Sequence, residues 1–441
     1  MNSDTVFDYE VIVVGAGISG LGAAYTMQKA GLKVCVLEKE NRVGGRMSTD
    51  RVNGFVIDRG ATILGRDFGY MRKLSAELNV KQFENPFRFV FGLKGRDKMR
   101  FIRPRRPDDL FQKGLLTFSS LRAIVRFFAG MLWLGRKLRH GQSVRTAAYD
   151  DQSIEEFLTR YGGHELLEKV LEPGLNGPMG GHFRQNSRLI VWQTFWNVLF
   201  HRVWAYRSGM DTLPEAMAKK LEVKLNCAVA TIEHGHPCRI TLQSGEVLTS
   251  KAVVVALPGN IAARVCRNLP AGVQELLAET TYGKMSIAHV MLGKRPAQDA
   301  PGMGFYPLAG EHCEIEAEHL RGPEFCPPGK AMLSLYFWDH AQETVSAMSD
   351  AQVNAKAREV IARHFPDCAE AIEGIHLVRW EEGIARFPPG RLKKMAALRQ
   401  QMLHWDLPLQ FCGDYLDGIA TESALALGVG AGEVWVKRLR G

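Results

Sequence analysis

The stretch that most constrains this chain lies just behind its first few polar residues. Tyr9-Glu10-Val11-Ile12-Val13-Val14 is apolar and rich in β-branched side chains, and it runs straight into Gly15-Ala16-Gly17-Ile18-Ser19-Gly20. A helical pattern follows in LGAAYTMQKAG, with Ala23 and Ala24 where a helix must lie close to a sheet. Leu32-Lys33-Val34-Cys35-Val36-Leu37 then reads as a second strand that ends at Glu38. Strand, glycine turn, helix, strand and terminal acid make one βαβ unit, whose handedness and packing commit the chain to a parallel sheet with helices laid across it.

Each part of the unit has a physical task in holding a dinucleotide. Gly15, Gly17 and Gly20 allow a tight turn and close backbone approach, the N-terminus opened by Ile18 and Ser19 presents free N–H groups to a pyrophosphate, and Glu38 accepts hydrogen bonds from a ribose. A carboxylate there repels a 2′-phosphate, which disfavours NADP. The bland alternative is a glycine-rich turn with no ligand. A second glycine cluster, Arg42-Val43-Gly44-Gly45-Arg46, follows within a few residues and offers further N–H groups and a guanidinium to a longer ligand than NAD.

The order GxGxxG, Glu38 with Lys39, then GGRxxS resembles the N-terminal signature of the flavin amine oxidase, protoporphyrinogen oxidase and phytoene desaturase superfamily. The resemblance implies an α/β fold: a Rossmann-type FAD-binding domain interleaved with an α+β substrate-binding domain. It places Gly60, Ala61, Thr62 and Ile63 alongside the flavin, Val229 against the adenine, Trp380 in a late "W…P…G" segment, and Gly413, Asp414, Ile419 and Ala420 at the last FAD block, where a helix N-terminus faces the flavin. Residues 1–80, 205–260 and 391–441 are then expected to form the FAD domain, and 81–204 and 261–390 the substrate domain. No cysteine lies between Cys368 and Cys412, where covalent relatives carry their flavin link, so FAD is expected to be non-covalent. Local likenesses at Ser153–Phe157, Glu172–Gly177 and Gly302–Pro307 lean toward the protoporphyrinogen oxidase branch.

The chemistry this implies is removal of two electrons from a CH–NH or CH–CH unit of a small hydrophobic or amine substrate, with hydride passing to flavin N5 and with O2 or a quinone as final acceptor. Amine oxidation, carotenoid-type desaturation and a non-redox flavin isomerase are the alternatives. Lys284 is a candidate for positioning a water near the flavin, or else a solvated strand-edge lysine. Phe305, Tyr306, Tyr336 and Trp338 are candidate walls of the substrate pocket, or else strand core. No Ser-His-Asp, Cys-His or paired-carboxylate pattern suggests a separate catalytic machinery.

Three strands are expected to form a small antiparallel meander: Val223 to Val229, Arg239 to Leu242 and Ala252 to Leu257. The eight cysteines show no CxxC pair and no histidine at zinc spacing, so they read as reduced thiols and no metal is expected. The first residues contain no secretory pattern and no apolar run is long enough for a membrane span, which points to a cytoplasmic biosynthetic enzyme. Residues 88–139 hold fourteen Lys and Arg against three Asp, while the rest of the chain is slightly acidic. So concentrated a charge suggests an anionic surface, or substrate carboxylates met by Arg100, Arg103, Arg105 or Arg106, rather than nucleic acid. Leu121, Ile124, Val125, Phe128 and Leu132 recur at helical spacing beside Arg122, Arg126, Arg136 and Lys137. Over 115–139 this reads as a peripheral membrane helix or as a packed helix with solvated arginines.

Overall fold

A computed structural model describes residues 7–65, 68–83, 90–94, 99–102, 116–177, 179–199, 203–297, 304–305 and 313–441. Its first sheet grows from the βαβ unit. Tyr9–Val14 pairs in parallel with Val34–Leu37 on one side and with Val247–Val255 on the other. Val11, Ile12 and Val13 are fully buried, as expected of a strand covered on both faces. The sheet has eight strands among the described residues. Val247–Val255 is its branching element: its start pairs antiparallel with Cys238–Leu242, and its end pairs in parallel with Leu409–Phe411.

Two sequence expectations are corrected here. Glu222–Lys224 does not begin the meander but adds a parallel strand beside Val34–Leu37, and the meander starts only at Val229–Glu233. The boundary at 260 falls inside the segment that serves the first sheet, because Cys266–Arg267 pairs with Ile232–Glu233.

The helix Ile18–Lys29 lies against the last helix, Thr421–Arg440, at backbone contact distance. A Cβ added to Gly428 would come 2.0 Å from the Ser19 carbonyl oxygen, and one on Gly432 would come 2.7 Å from that of Ala23. Such contact is open only to glycine, and it carries the N-termini of two helices from opposite ends of the chain to one place.

The second sheet runs in the order Ile372–Ala385, Tyr282–Leu292, Ala331–Phe337, Cys313–Ala317, Gly304–Phe305, Val90–Lys94 and Met99–Ile102. One face buries Ala288, Val290, Ile315, Leu333 and Leu335 under the helix Asp350–His364. The alternate residues point to the other face, which turns toward the first sheet. All eight cysteines are unpaired and all but Cys227 are buried.

The helix Leu121–Leu134 buries Ala123, Phe127, Met131 and Leu134. The stripe expected as one face is divided: Ile124 and Phe128 pack partly against the core, whereas Leu121, Val125 and Leu132 are exposed together with Trp133. Among the described residues, no helix is long and apolar enough to cross a membrane.

Candidate active site

A cavity of about 940 Å³ runs between the two sheets. The first turn builds one end. Gly15 adopts φ +104°, and the Ala256 carbonyl oxygen would lie 2.8 Å from any Cβ there, so backbone and space both call for glycine; Gly20 sits with the Gly15 carbonyl where its own Cβ would be. Gly17 differs: a Cβ on it would meet no protein atom within 4 Å and would project into the cavity. Two of these glycines therefore serve chain packing, and the middle one leaves room for a ligand.

Glu38 borders the same space. Its carboxylate is buried and accepts hydrogen bonds from the N–H of Ala16 at 2.7 Å and of Glu40 at 3.0 Å. Lys39 stands exposed at the rim, and Val229 borders the cavity beside Cys227, whose N–H donates to the Glu38 carbonyl at 2.7 Å.

The second glycine cluster lies against the first. Gly44 donates its N–H to the Ala16 carbonyl at 2.8 Å, and Gly17 and Gly44 form a parallel bridge. Arg46 then joins three distant segments. It grips Asp414 with both terminal nitrogens, at 2.6 and 2.9 Å, and donates to the Gly383 carbonyl at 2.8 Å. This bidentate pair holds Arg46 protonated although burial opposes its charge.

Asp414 thus stands at the cavity as one half of an ion pair. Gly413, Ile419, Ala420 and Thr421 complete this wall, and the helix Thr421–Arg440 begins there without a side-chain cap. The N-terminal ends of this helix and of Ile18–Lys29 make the cavity favourable to negative charge at two points.

Gly60, Ala61, Thr62 and Ile63 border the middle of the cavity. Gly60 packs on the Arg46 carbonyl, which would lie 2.6 Å from a Cβ. Trp380, reaching from the second sheet, donates its indole N–H to the Arg59 carbonyl at 2.6 Å. From behind, Arg321 is fully buried and donates to the Thr62 carbonyl at 2.6 Å, to Asp58 at 2.5 Å and to Glu318 at 2.8 Å. Asp58 also accepts from Thr49 Oγ1 at 2.6 Å and from the Met210 N–H at 2.8 Å.

Beyond this loop the wall comes from the inner face of the second sheet. Tyr336 and Met285 border the cavity, and Tyr336 donates to Glu316 at 3.1 Å; Trp338 does not line it but packs in the same apolar cluster with Ile287. Glu314 and Glu316 are both buried and both border the cavity. Burial, and then Glu318 beside it, holds the Glu316 carboxyl above its ordinary range, with Arg321 pulling the other way. Lys284 points elsewhere: its half-exposed ammonium pairs with Glu381 at 2.6 Å, and it is Glu381 that borders the cavity. The Phe305 backbone pairs with Phe91 and Glu316, while Tyr306 lies outside the described residues, as do Arg103, Arg105 and Arg106.

The residues missed in the sequence are Arg321 and the acids of CEIEAEHL. Their strict alternation with Ile315 and Ala317 reads as a strand with one solvated face, yet both faces are buried.

These residues suit FAD. The space left at Gly17, the two uncapped helix N-termini, the acid at the end of the second strand and the long cavity match an elongated ligand with a diphosphate at its middle. Comparison with known proteins agrees. A family described as "Flavin containing amine oxidoreductase" matches residues 18–431. The coproporphyrinogen III oxidase of Bacillus subtilis is 25% identical over 93% of both chains. Protoporphyrinogen oxidase 2 of Arabidopsis thaliana is 28% identical over 44% of this chain and 37% of its own. The cyclohexylamine oxidase of Brevibacterium oxydans superposes with a TM-score of 0.77, covering 98% of this chain and 100% of that one, at 17% identity.

Proposed function

The chain belongs to the flavin containing amine oxidoreductases, and from that premise we propose that it is an oxidase of the protoporphyrinogen oxidase type, holding FAD without a covalent bond. When bound, the flavin supplies the two-electron acceptor that takes a hydride from a substrate carbon. The carrying observation is that the cavity does not stop at the loop Gly60–Ile63 but continues into a chamber whose walls are Leu175, Met285, Tyr336 and Ile384, with the buried carboxyls Glu314 and Glu316 on one side. A bulky hydrophobic substrate fits that position.

The chain's own contribution is placement and exclusion of water. Trp380 and Arg321 fix the loop beside the flavin from two sides, and Arg46 with Asp414 ties the first and last blocks together. For the non-covalent reading, the support is that, among the described residues, the cysteine bordering the cavity is Cys227, which lies beside Glu38 rather than beside Gly60–Ile63.

The test is anaerobic mixing of the yellow protein with a porphyrinogen, a hydrophobic amine and a carotenoid precursor. Bleaching of the flavin band by the porphyrinogen is expected. Bleaching by the carotenoid precursor alone would refute the reading.

The exposed apolar strip Leu121, Val125, Leu132 and Trp133, with Arg122 and Arg126 set around Tyr161, supports peripheral contact with an anionic membrane.

A further inference from the structure

We propose that Glu314 is a specificity-determining acceptor for an N–H group of the substrate, so that the chamber selects a nitrogen-bearing molecule over a hydrocarbon of the same shape. The inference rests on the oxidase reading for where the substrate lies.

Three acids line one face of consecutive chain, and their partners differ. Glu318 is met by Arg321 and by Ser334 Oγ at 2.8 Å, and Glu316 by the Tyr336 hydroxyl. Glu314 is only 1% exposed, borders the cavity, and keeps its Oε1 without a hydrogen-bond partner. A buried acceptor left unmet weakens a fold, so its retention calls for a partner or a functional role.

The surroundings are shaped to keep that oxygen where it is. Glu314 Oε2 lies 1.9 Å from where a Cβ would stand on Gly177, and the Trp338 ring lies 3.0 Å from the same point, so only glycine at 177 lets the carboxyl occupy this position. Leu175, Met285 and Ile384 border the chamber with side chains that offer no donor, and the Tyr336 hydroxyl is directed to Glu316.

Burial, and next the neighbouring Glu316, holds the Glu314 carboxyl well above its ordinary range. In its protonated form it still carries a carbonyl acceptor for a neutral pyrrolic N–H, and on ionising it meets an ammonium. Both sources share the N–H donor, and a site built around such a bond discriminates strongly against analogues that lack it.

Calorimetric titration of the flavin-loaded full chain tests this with three probes: phenylbutylamine, its hydrocarbon isostere pentylbenzene, and the free-base porphyrin coproporphyrin. Glu314→Leu, which removes the acceptor and leaves an apolar side chain that burial favours, is expected to weaken the binding of one or both N–H probes tenfold or more and to leave pentylbenzene unchanged. Glu314→Gln keeps a neutral acceptor, so it should retain coproporphyrin if the natural donor is pyrrolic and lose phenylbutylamine if it is an ammonium. The proposal is overturned if neither N–H probe binds the wild type, if Glu314→Leu binds them as the wild type does, or if it loses pentylbenzene equally. Binding through Glu314 without bleaching by any porphyrinogen or amine would leave the acceptor standing and remove the oxidase reading.

Discussion

Replacing Arg321 with methionine should be among the most damaging single changes in this protein, and the reason can be worked from its contacts. The guanidinium is fully buried and donates to Asp58, Glu318 and the Thr62 carbonyl, with the Phe325 ring 4.0 Å beneath it. Burial opposes its charge, but Asp58 and Glu318 hold its pKa above the usual value. Methionine fills much of the volume yet leaves two carboxylates facing each other's field. Asp58 keeps Thr49 and the Met210 N–H, and Glu318 keeps Ser334.

Breaking one side of a buried ion network destabilises by about 3–5 kcal/mol, because the remaining charge is stranded. For 441 residues, an unfolding entropy of roughly 2.1 cal/mol/K per residue amounts to about 0.9 kcal/mol/K, so Tm should fall by about 4 °C. Flavin content, read from the visible-to-ultraviolet absorbance ratio, should fall with it, since the Thr62 carbonyl loses the anchor of the loop. Adding Asp58→Asn and Glu318→Gln to Arg321→Met should recover at least half of the lost Tm, because the stranded charges are then gone. A single variant melting within about 1 °C of the wild type, or a triple variant no better than the single, would refute the electrostatic account.

Other expectations follow from the same contacts. Gly17→Val should fold with a near-normal far-ultraviolet spectrum and purify colourless, since its side chain enters only the cavity, whereas Gly428→Ala should lower Tm by forcing apart the two helices; a yellow Gly17→Val protein contradicts the first half. His289 is buried, with its Nδ1 2.7 Å from Ser334 Oγ, and burial, then the His376 and Arg321 charges, push its pKa down to about 3. Below its ordinary value near 6.5 the unfolded chain binds a proton that the folded chain refuses, so this stabilisation is complete above about pH 6.5 and is lost as pH falls toward about 3. His289→Gln should therefore flatten Tm against pH over that interval, and an unchanged slope would exclude His289 as its source. Reversing Arg122 and Arg126 to Glu should lower co-sedimentation with phosphatidylglycerol vesicles, and equal partitioning would remove the membrane reading.

The N-terminal block was legible in the sequence because its constraints are local. A β-branched run, glycines at fixed spacing and an acid at the end of the next strand have one geometric solution, so the gathering of Gly17, Glu38 and Gly44 at one cavity follows from pattern, whereas the pairing of Arg46 with Asp414 does not. The late residues Asp414, Ile419 and Ala420 follow only from resemblance, for nothing in GDYLDGIAT dictates its partner. Lys284 is a candidate only through resemblance to the amine oxidases, and its pairing with Glu381 directs it away from the cavity, because side-chain direction on a strand reverses with each residue.

What the sequence by itself determined is the parallel core: the turn after Tyr9–Val14, the helix behind it and the acid that closes the unit. What only tertiary structure decided is which distant residues share the cavity, because that depends on contacts no local pattern encodes. Gly428 and Gly432 seat the last helix on the first, Arg321 reaches Asp58 across more than half the chain, and a second covering layer buries the acids of Cys313–Ala317 that an isolated strand would leave in water. Burial is a property of neighbours, and it converts an ordinary alternating strand into the polar floor of a pocket.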